Sequence, residues 1–285
     1  MKRLTAIIIT PFVAAIFLVG CTQGEKKIML CYKFEPGLKL SYKQVSKRST
    51  TVTQADSTIK ESSMTFEVQV EQLVKRILPD SIAEIVEVST WTVEKPGKED
   101  SSVTETVEES RELVLQVRPN GKVLDVKFRQ DENYSHIRYI RNYYEQGMPV
   151  FPSHEVSPGY TWTQTTKVVL PGEPMEASMT YRVMSLAREA GYDCAVIKCN
   201  GDMIIPLEPN PQDSVQRSGL DRIRSTGLLY FAYKEGMVIL QREQWLIDRY
   251  RRKTISGETK EYKEAIELDI DYMFKGRTIV DSLAL

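Results

Sequence analysis

The feature that most constrains the fold of this chain is a strict alternation of apolar and polar residues. Residues 266–274 show it most clearly, because five apolar side chains occupy every second position and Glu267, Asp269 and Asp271 stand between them. Successive side chains of a β-strand point to opposite faces, so this period predicts strands that are buried on one face only. Further strands are predicted at residues 38–45, 66–70, 82–91, 113–117, 124–128, 160–170, 180–186, 193–199, 228–233 and 237–250. The chain is therefore predicted to be mainly β.

The chain also resembles itself at a fixed offset. Residues 64–68 (MTFEV) match residues 179–183 (MTYRV), 115 positions later, and the glycines Gly121 and Gly236 are also 115 positions apart. Both glycines lie in short stretches typical of hairpin turns, where Gly adopts a positive φ without strain. These matches predict two duplicated antiparallel β units, each a curved sheet or partial barrel, with the aromatic residues of the two pentapeptides at equivalent core positions.

One segment has a helical period instead of the alternation. Between about residues 131 and 146, Tyr134, Ile137, Ile140 and Tyr144 recur every three or four positions, which predicts one amphipathic helix. We expect this helix to link the two β units and to pack on the strand that precedes it. The predicted organisation is a signal peptide at 1–20, a lipid-anchored linker at 21–27, a first β unit at 28–129, a linking helix at 130–148 and a second β unit at 149–285.

The N-terminus has the layout of a secretory signal. Two basic residues precede a mostly apolar run, which is shorter than the ~20 residues that a membrane span needs. The run ends in Leu18-Val19-Gly20-Cys21, which resembles the lipobox of bacterial lipoproteins. In that family the signal is cleaved before the cysteine, and the cysteine carries the lipid. The resemblance implies a lipid anchor on Cys21 that holds the protein on a membrane.

Residue 22 bears on which membrane this is. It is Thr, whereas an Asp at this position means inner-membrane retention under the enterobacterial sorting rule for lipoproteins. The resemblance therefore implies the outer membrane, with the protein facing the periplasm. The balance of 38 basic and 39 acidic residues gives no reason to expect nucleic acid as a partner.

A weaker resemblance lies in residues 150–171. The sequence VSPG at residues 156–159, followed by YTWT at residues 160–163, is similar to the opening of the second half in a family of uncharacterised secreted bacterial β proteins. That family has a Gly, a two-residue spacer and a Trp at this point. The resemblance implies a β-rich body, and it brings no activity or functional residues with it.

No residue pattern points to catalysis or to a metal site. His136 and His154 are the two histidines, and the sequence has no HExxH, no CxxC and no close pair of histidines. No serine lies in a Gly-x-Ser-x-Gly elbow, and there is no glycine-rich phosphate loop. We therefore expect a protein without enzymatic activity, cofactor or metal. The acidic row at residues 267–271 is interpreted as the solvated face of a strand.

The strongest local charge is the basic run of Arg249, Arg251, Arg252 and Lys253, which lies close to a predicted hairpin turn. Each basic residue near anionic lipid headgroups contributes about 1 kcal/mol, so the run is a candidate contact with a membrane or a partner. Two glutamates follow within a few residues. They favour the simpler interpretation of a solvated loop whose charges are balanced.

Three cysteines remain besides Cys21. Cys194 and Cys199 lie five residues apart in one predicted strand, about 16 Å at ~3.3 Å per residue, which is too far for a disulfide. A disulfide would therefore need Cys31 paired with one of these two. We favour three buried free thiols, because free cysteines are commonly buried.

Two kinds of function fit these observations. The leading hypothesis is a non-enzymatic protein that binds or scaffolds an unknown envelope protein at the periplasmic side of the outer membrane. The alternative is a carrier of a hydrophobic ligand, a lipid or a lipoprotein, in a groove between sheet and helix; a hydrolase is the least favoured. An apolar cavity would favour the carrier, a filled core the scaffold, and a buried carboxyl with a shifted pKa the enzyme.

Overall fold

The computed structural model describes residues 26–54, 57–96, 104–128, 144, 148–168, 175–207, 216–255 and 258–280. These residues form eleven β-strands and one 3-10 turn at Pro79–Ser81. The strands are β1 (Leu38–Gln54), β2 (Ser57–Ile77), β3 (Ala83–Pro96), β4 (Thr104–Val117), β5 (Val123–Phe128), β6 (Thr161–Val168), β7 (Met175–Glu189), β8 (Tyr192–Leu207), β9 (Gln216–Ala232), β10 (Met237–Ile255) and β11 (Glu258–Ile279). The predicted β-rich body is confirmed.

All the described strands pair in one antiparallel sheet. Its order is β5-β4-β3-β2-β1-β11-β10-β9-β8-β7-β6. Within β1–β5 and within β6–β11, each strand pairs with its neighbour in sequence, and the two runs meet where β1 pairs with β11. Strands β5 and β6 are therefore the two edges of the sheet, and the chain between them must pass from one edge to the other.

The prediction of two duplicated β units linked by one helix is wrong. Strands from both halves belong to a single continuous sheet, and the elements of the described ranges include no α-helix, although Tyr144 by itself is in helical conformation. The cause is the β1–β11 ladder, which pairs the first strand with the last from Leu38 opposite Ile279 to Thr53 opposite Lys263. Of the predicted helical stripe only Tyr144 is described, and the other three residues lie outside the described part of the chain.

The two halves share structural landmarks within this one sheet. The Gly37 N–H donates to the Val74 carbonyl at 2.8 Å, and the Gly159 N–H donates to the Val183 carbonyl at 2.7 Å. Each glycine precedes the first strand of its half, and each valine lies on the second. A register shift directly follows each valine, in β2 and in β7. Val74 and Val183 therefore occupy corresponding places.

The pentapeptide match pairs different residues of the two halves from those that the hydrogen bonds pair. It equates residue 68 with Val183, whereas the hydrogen bonds equate Val74 with Val183, six positions later in β2. Phe66 is accordingly 40 % exposed, and Tyr181 is 4 % exposed. The predicted equivalence of these two aromatic residues in the core is wrong, because a short sequence match does not fix strand register.

The alternation divides the sheet into an outer face and an inner face. On β11, Glu267, Asp269 and Asp271 are exposed and Ile266 is buried. The Gln244 side chain donates to Glu267 at 2.8 Å and to Asp269 at 3.3 Å. Cross-strand ion pairs between β1 and β2, at 2.8 and 2.9 Å, lie on the same outer face and contribute at most about 1 kcal/mol each. The predicted solvated face is confirmed.

Two segments without strand structure cover the inner face at one end of the sheet. We call residues 26–36 the N-terminal cover and residues 148–160 the central cover. They join at Ile28 and Val156, where each N–H donates to the other's carbonyl at 2.8 Å. The ring of Phe151 is buried in the largest core cluster. Burial of each such side chain contributes about 1.5–3 kcal/mol, so apolar packing holds both covers on the sheet.

The β4–β5 hairpin turn fits closely under both covers at Gly121. Its φ is +89°, and a Cβ there would contact the Pro149 carbonyl oxygen and lie 2.8 Å from the Tyr32 ring. The Tyr32 N–H also donates to the Pro119 carbonyl of the same turn at 2.7 Å. A side chain at position 121 would separate the turn from the covers, so the glycine is needed for the contact as well as for the backbone conformation.

Candidate ligand cavity

A cavity of about 640 Å³ lies on the inner face, bounded by strands β1–β4, β10 and β11 and by both covers. Strand residues enter its wall at alternate positions, because only every second side chain points to this face. On β1 and β2 the lining residues are Leu40, Tyr42, Gln44, Ser46, Phe66, Val68, Val70 and Gln72. On the other strands they are Ile85, Glu87, Ser89, Trp91, Arg111, Leu115, Val117, Met237, Val238, Gln241, Glu243, Leu268, Ile270 and Tyr272.

Strand register explains why the floor of the cavity is mostly apolar. Val68 on β2 lies opposite Gln44 on β1 and opposite Trp91 on β3, and Gln44 in turn lies opposite Tyr272 on β11. Ile270 lies two residues from Tyr272 on β11, closer to the β1–β2 turn, and its side chain points to the same face. Aromatic and branched side chains of β2, β3 and β11 therefore line this part of the floor, with Gln44 and Ser46 of β1 between them.

A buried polar cluster centred on Glu87 interrupts this surface. Glu87 lies on β3 and is 3 % exposed. The Tyr144 hydroxyl donates to Oε1 of Glu87, and Nε2 of Gln72, directly opposite on β2, donates to Oε2 at 2.8 Å. Ser89, two positions further along β3, and Arg111, through its charge, also favour the ionised carboxyl. The cluster connects Tyr144, from the segment between the two sheet edges, to the wall of the cavity.

Burial sets the protonation behaviour of Glu87. The loss of solvent raises the pKa of this carboxyl above its ordinary value, and this effect exceeds the lowering caused by Tyr144, Gln72, Arg111 and Ser89. A carboxyl in an apolar cavity with a raised pKa is a common mark of a functional site. The hydrogen bonds donated by Tyr144 and Gln72 hold this carboxyl in a fixed orientation.

Arg111 is the second charged residue of this cluster. It lies on β4 directly opposite Ser89 and lines the cavity. Its Nε is buried and has no hydrogen-bond partner among the described residues. A guanidinium group stays charged at all accessible pH values, so this position carries a fixed positive charge with an unused donor.

A smaller cavity of about 60 Å³ lies on the inner face of the second half. It shares Pro149, Gln241 and Glu243 with the large cavity. Glu243 is held in place there, because it accepts hydrogen bonds from Gln241 at 2.6 Å and from the Trp245 indole at 3.0 Å. These residues of β10 form the boundary between the two spaces, and the large cavity extends from β10 and β11 across the strands of the first half.

The basic run has acidic neighbours on both adjacent strands. Arg249 pairs with Glu264 at 3.2 Å, Arg252 pairs with Glu261 at 2.7 Å, and Arg251 pairs with Asp221. These are cross-strand contacts near the β10–β11 turn, and none of these residues lines the large cavity. Lys253 is half-buried at the end of the same run, and no ion pair of Lys253 occurs within the described ranges. Most of the run is therefore already neutralised by the protein.

The remaining predicted sites lie apart from the cavity or outside the described residues. Cys21 and His136 lie outside them, and the exposed His154 packs edge-on against Tyr160 at 5.3 Å between ring centroids. Over the described ranges no group of three or more His, Cys, Asp or Glu side chains is arranged to hold a metal.

The three described cysteines are free thiols. Cys194 and Cys199 are buried, as predicted, whereas Cys31 is only half-buried. Burial raises the pKa of the Cys194 thiol to about 11 and of the Cys199 thiol to about 12. Both thiols therefore stay protonated and unreactive at neutral pH.

Sequence reasoning missed the polar cluster. Glu87 and Ser89 lie in phase with Ile85 and Trp91, so they occupy the face that the apolar residues assign to the core. Some side chains on the other face of β3, such as Val86, are also apolar, so the sequence did not show which face of this strand is buried. A glutamate in phase with core residues was the only sign of a buried carboxyl.

Comparisons with known proteins do not assign this chain to a family. No protein-family model matches it, and no curated protein matches it at a significant level. Within the described ranges, no helix has the length and apolar character needed to cross a membrane.

Proposed function

We propose that this protein is a non-catalytic carrier that holds a hydrophobic ligand in the large cavity on the inner face of the sheet. The observation that carries the proposal is the cavity itself. Ligand sites are typically ~300–1,000 Å³, mostly apolar, with a few placed polar groups, and this cavity of about 640 Å³ fits that description. The scaffold hypothesis expects a filled core at this place, so the cavity favours the carrier.

The buried Glu87 is the one observation that favours an enzyme instead. Both oxygens of its carboxyl already accept hydrogen bonds from the protein, from Tyr144 and from Gln72. A general acid or base needs an oxygen directed at the reacting group of a substrate. The described residues place no histidine beside it. The arrangement supports a structural and ligand-positioning role for Glu87.

The proposal includes the lipid anchor on Cys21 and the periplasmic side of the outer membrane as the location. Seven peptide steps separate Cys21 from Ile28, at most about 25 Å. Ile28 is fixed to the body by its two backbone hydrogen bonds with Val156. An anchor at Cys21 would therefore keep the cavity close to the membrane surface, where a lipid-like ligand is available.

Blocking the cavity tests the proposal. Val68→Trp places a large ring on the cavity floor, and Gln69→Trp places the same ring on the outer face of the same strand. The probe is a neutral dye, N-phenylnaphthylamine, whose fluorescence rises in apolar surroundings. We expect the parent and Gln69→Trp to bind the dye and Val68→Trp to lose most of the binding, with all three equally folded by circular dichroism.

Mass spectrometry of the native protein tests whether a ligand co-purifies with it. Organic extracts of the parent and of Gln69→Trp should contain a co-purifying hydrophobic compound that extracts of Val68→Trp lack. Equal dye binding by all three proteins, together with identical extracts, would show that the cavity is not a binding site and would return the scaffold as the better hypothesis.

A further inference from the structure

The charged residues of the cavity wall point to the chemistry of the ligand. Four described charged residues line the large cavity, namely Lys33, Glu87, Arg111 and Glu243. Three of them are satisfied by the protein. Lys33 donates to the Lys234 carbonyl at 2.6 Å, Glu87 has the donors described above, and Glu243 accepts from two side chains of β10. Arg111 alone has a buried donor without a partner.

Within the described part of the chain, Glu87 forms no ion pair with Arg111. Glu87 acts on it through charge, but its two oxygens are engaged by Tyr144 and Gln72, and the described residues form no ion pair with the guanidinium. A buried N–H without an acceptor is unfavourable, and a charged one more so. Such a donor in the wall of a cavity is suited to an acceptor that arrives with the ligand.

The geometry of the guanidinium selects the acceptor. Its Nε and one Nη present two parallel donors, which match the two oxygens of a carboxylate. A single arginine offsets one negative charge, and Glu87 close by disfavours a head group with two. The floor extends from this point across the sheet, past Gln44 and Ser46 of β1. Ile270 lies four strand spacings across from Arg111, about 19 Å at ~4.8 Å per strand, and four residues along β11 from the row of Arg111, about 13 Å at ~3.3 Å per residue.

We propose that the ligand is a long-chain carboxylic acid, with its carboxylate on Arg111 and its alkyl chain along the floor towards Ile270. This inference rests on the proposed carrier function and names the ligand class for the same cavity. It predicts selectivity for an acid head group and for chain length, since each additional buried methylene strengthens binding.

Competition for the dye tests the head group without any variant. Hexadecanoate, octanoate, hexadecanol and hexadecyl phosphate each compete with N-phenylnaphthylamine for the purified full-length chain. We expect hexadecanoate to displace the dye at a concentration about tenfold or more below that of hexadecanol, from the loss of one charge-assisted hydrogen-bonded pair. Octanoate should compete less well than hexadecanoate.

Variants assign the selectivity to the arginine. In Arg111→Gln the preference for hexadecanoate over hexadecanol should fall to within about twofold, and Arg111→Lys should retain part of it. Arg76→Gln is the matched control, because Arg76 is exposed and pairs with Glu84 at 2.9 Å away from the cavity lining. It should keep the full preference.

Three results would overturn the inference. They are equal competition by hexadecanoate and hexadecanol, a preference that survives Arg111→Gln, and stronger competition by hexadecyl phosphate than by hexadecanoate. In each case the dye is still displaced, so the carrier function stands and only the ligand class is wrong. If no compound displaces the dye and Val68→Trp binds it normally, the proposed function itself fails.

Discussion

The hydrogen bond between Tyr144 and Glu87 offers a direct test of how the cavity wall is built. Tyr144 is a described residue of the long connection between β5 and β6, and it is packed in a core cluster with Leu113 and Leu115. Its hydroxyl donates to the buried carboxyl of Glu87. Tyr144→Phe keeps the ring and its packing and removes only the donor.

The expected cost follows from the charge and burial of the acceptor. A hydrogen bond to a charged group contributes about 1.5–3 kcal/mol, against ~1 kcal/mol for a neutral pair. Glu87 is 3 % exposed, so water does not replace the lost donor. We expect Tyr144→Phe to lower the free energy of unfolding by about 1.5–3 kcal/mol when Glu87 is ionised. When Glu87 is protonated the cost should fall to about 1 kcal/mol.

The assay is urea unfolding of the parent and the variant at a pH above the raised pKa of Glu87 and at about pH 4, with free energies from linear extrapolation. The lower pH lies below the ordinary carboxyl pKa of 4.5, and burial raises the pKa of Glu87 further, so the folded protein then carries the proton. Tyr160→Phe is the control, because Tyr160 is half-buried and packs away from Glu87. A cost below about 0.5 kcal/mol, or one equal at both pH values, would refute the reasoning.

Three further predictions concern the same features. By urea unfolding, Glu87→Gln should be as stable as the parent below pH 4.5 and more stable at higher pH. The parent loses about 1.4 kcal/mol per pH unit as pH rises from 4.5 to the pKa of Glu87, which burial raises. In urea unfolding, Gly121→Ala should cost at least about 1 kcal/mol more than Gly159→Ala, since both have a positive φ but only Gly121 would meet neighbours. Cell fractionation should find Cys21→Ser released from membranes or unprocessed, and unchanged cleavage and fractionation would contradict the lipid anchor.

Local pattern was enough to locate the strands and their faces, but it left the polar ends of several strands unassigned, such as residues 57–65 of β2 and 216–227 of β9. The alternation in residues 266–274 predicted both the strand and its exposed acidic side, because the period of two is a property of the extended backbone itself. The hairpin glycines Gly121 and Gly236 were predicted in the same way, and both adopt a positive φ in the structure. Each of these inferences needs only neighbours in sequence.

The local sequence pattern could not predict which distant strands pair with each other. The sequence of β1 is equally compatible with an edge strand and with a central one, and only the fold places β11 beside it, from Leu38 opposite Ile279 onwards. The same long-range pairing turned two expected units into one sheet. Register was undetermined for the same reason, so a five-residue match misassigned the counterpart of Val183 by six positions.

The cavity is likewise a product of tertiary structure. In sequence, Glu87 and Arg111 are ordinary charged residues of alternating strands, 24 positions apart. Pairing of β3 with β4 puts them on one face, and Tyr144, from the connection between the sheet edges, completes the cluster. The sequence alone determined which side chains share a face of each strand, because backbone geometry imposes that. Only the tertiary structure decided which face was covered, since cover and sheet meet through contacts between residues far apart in the chain.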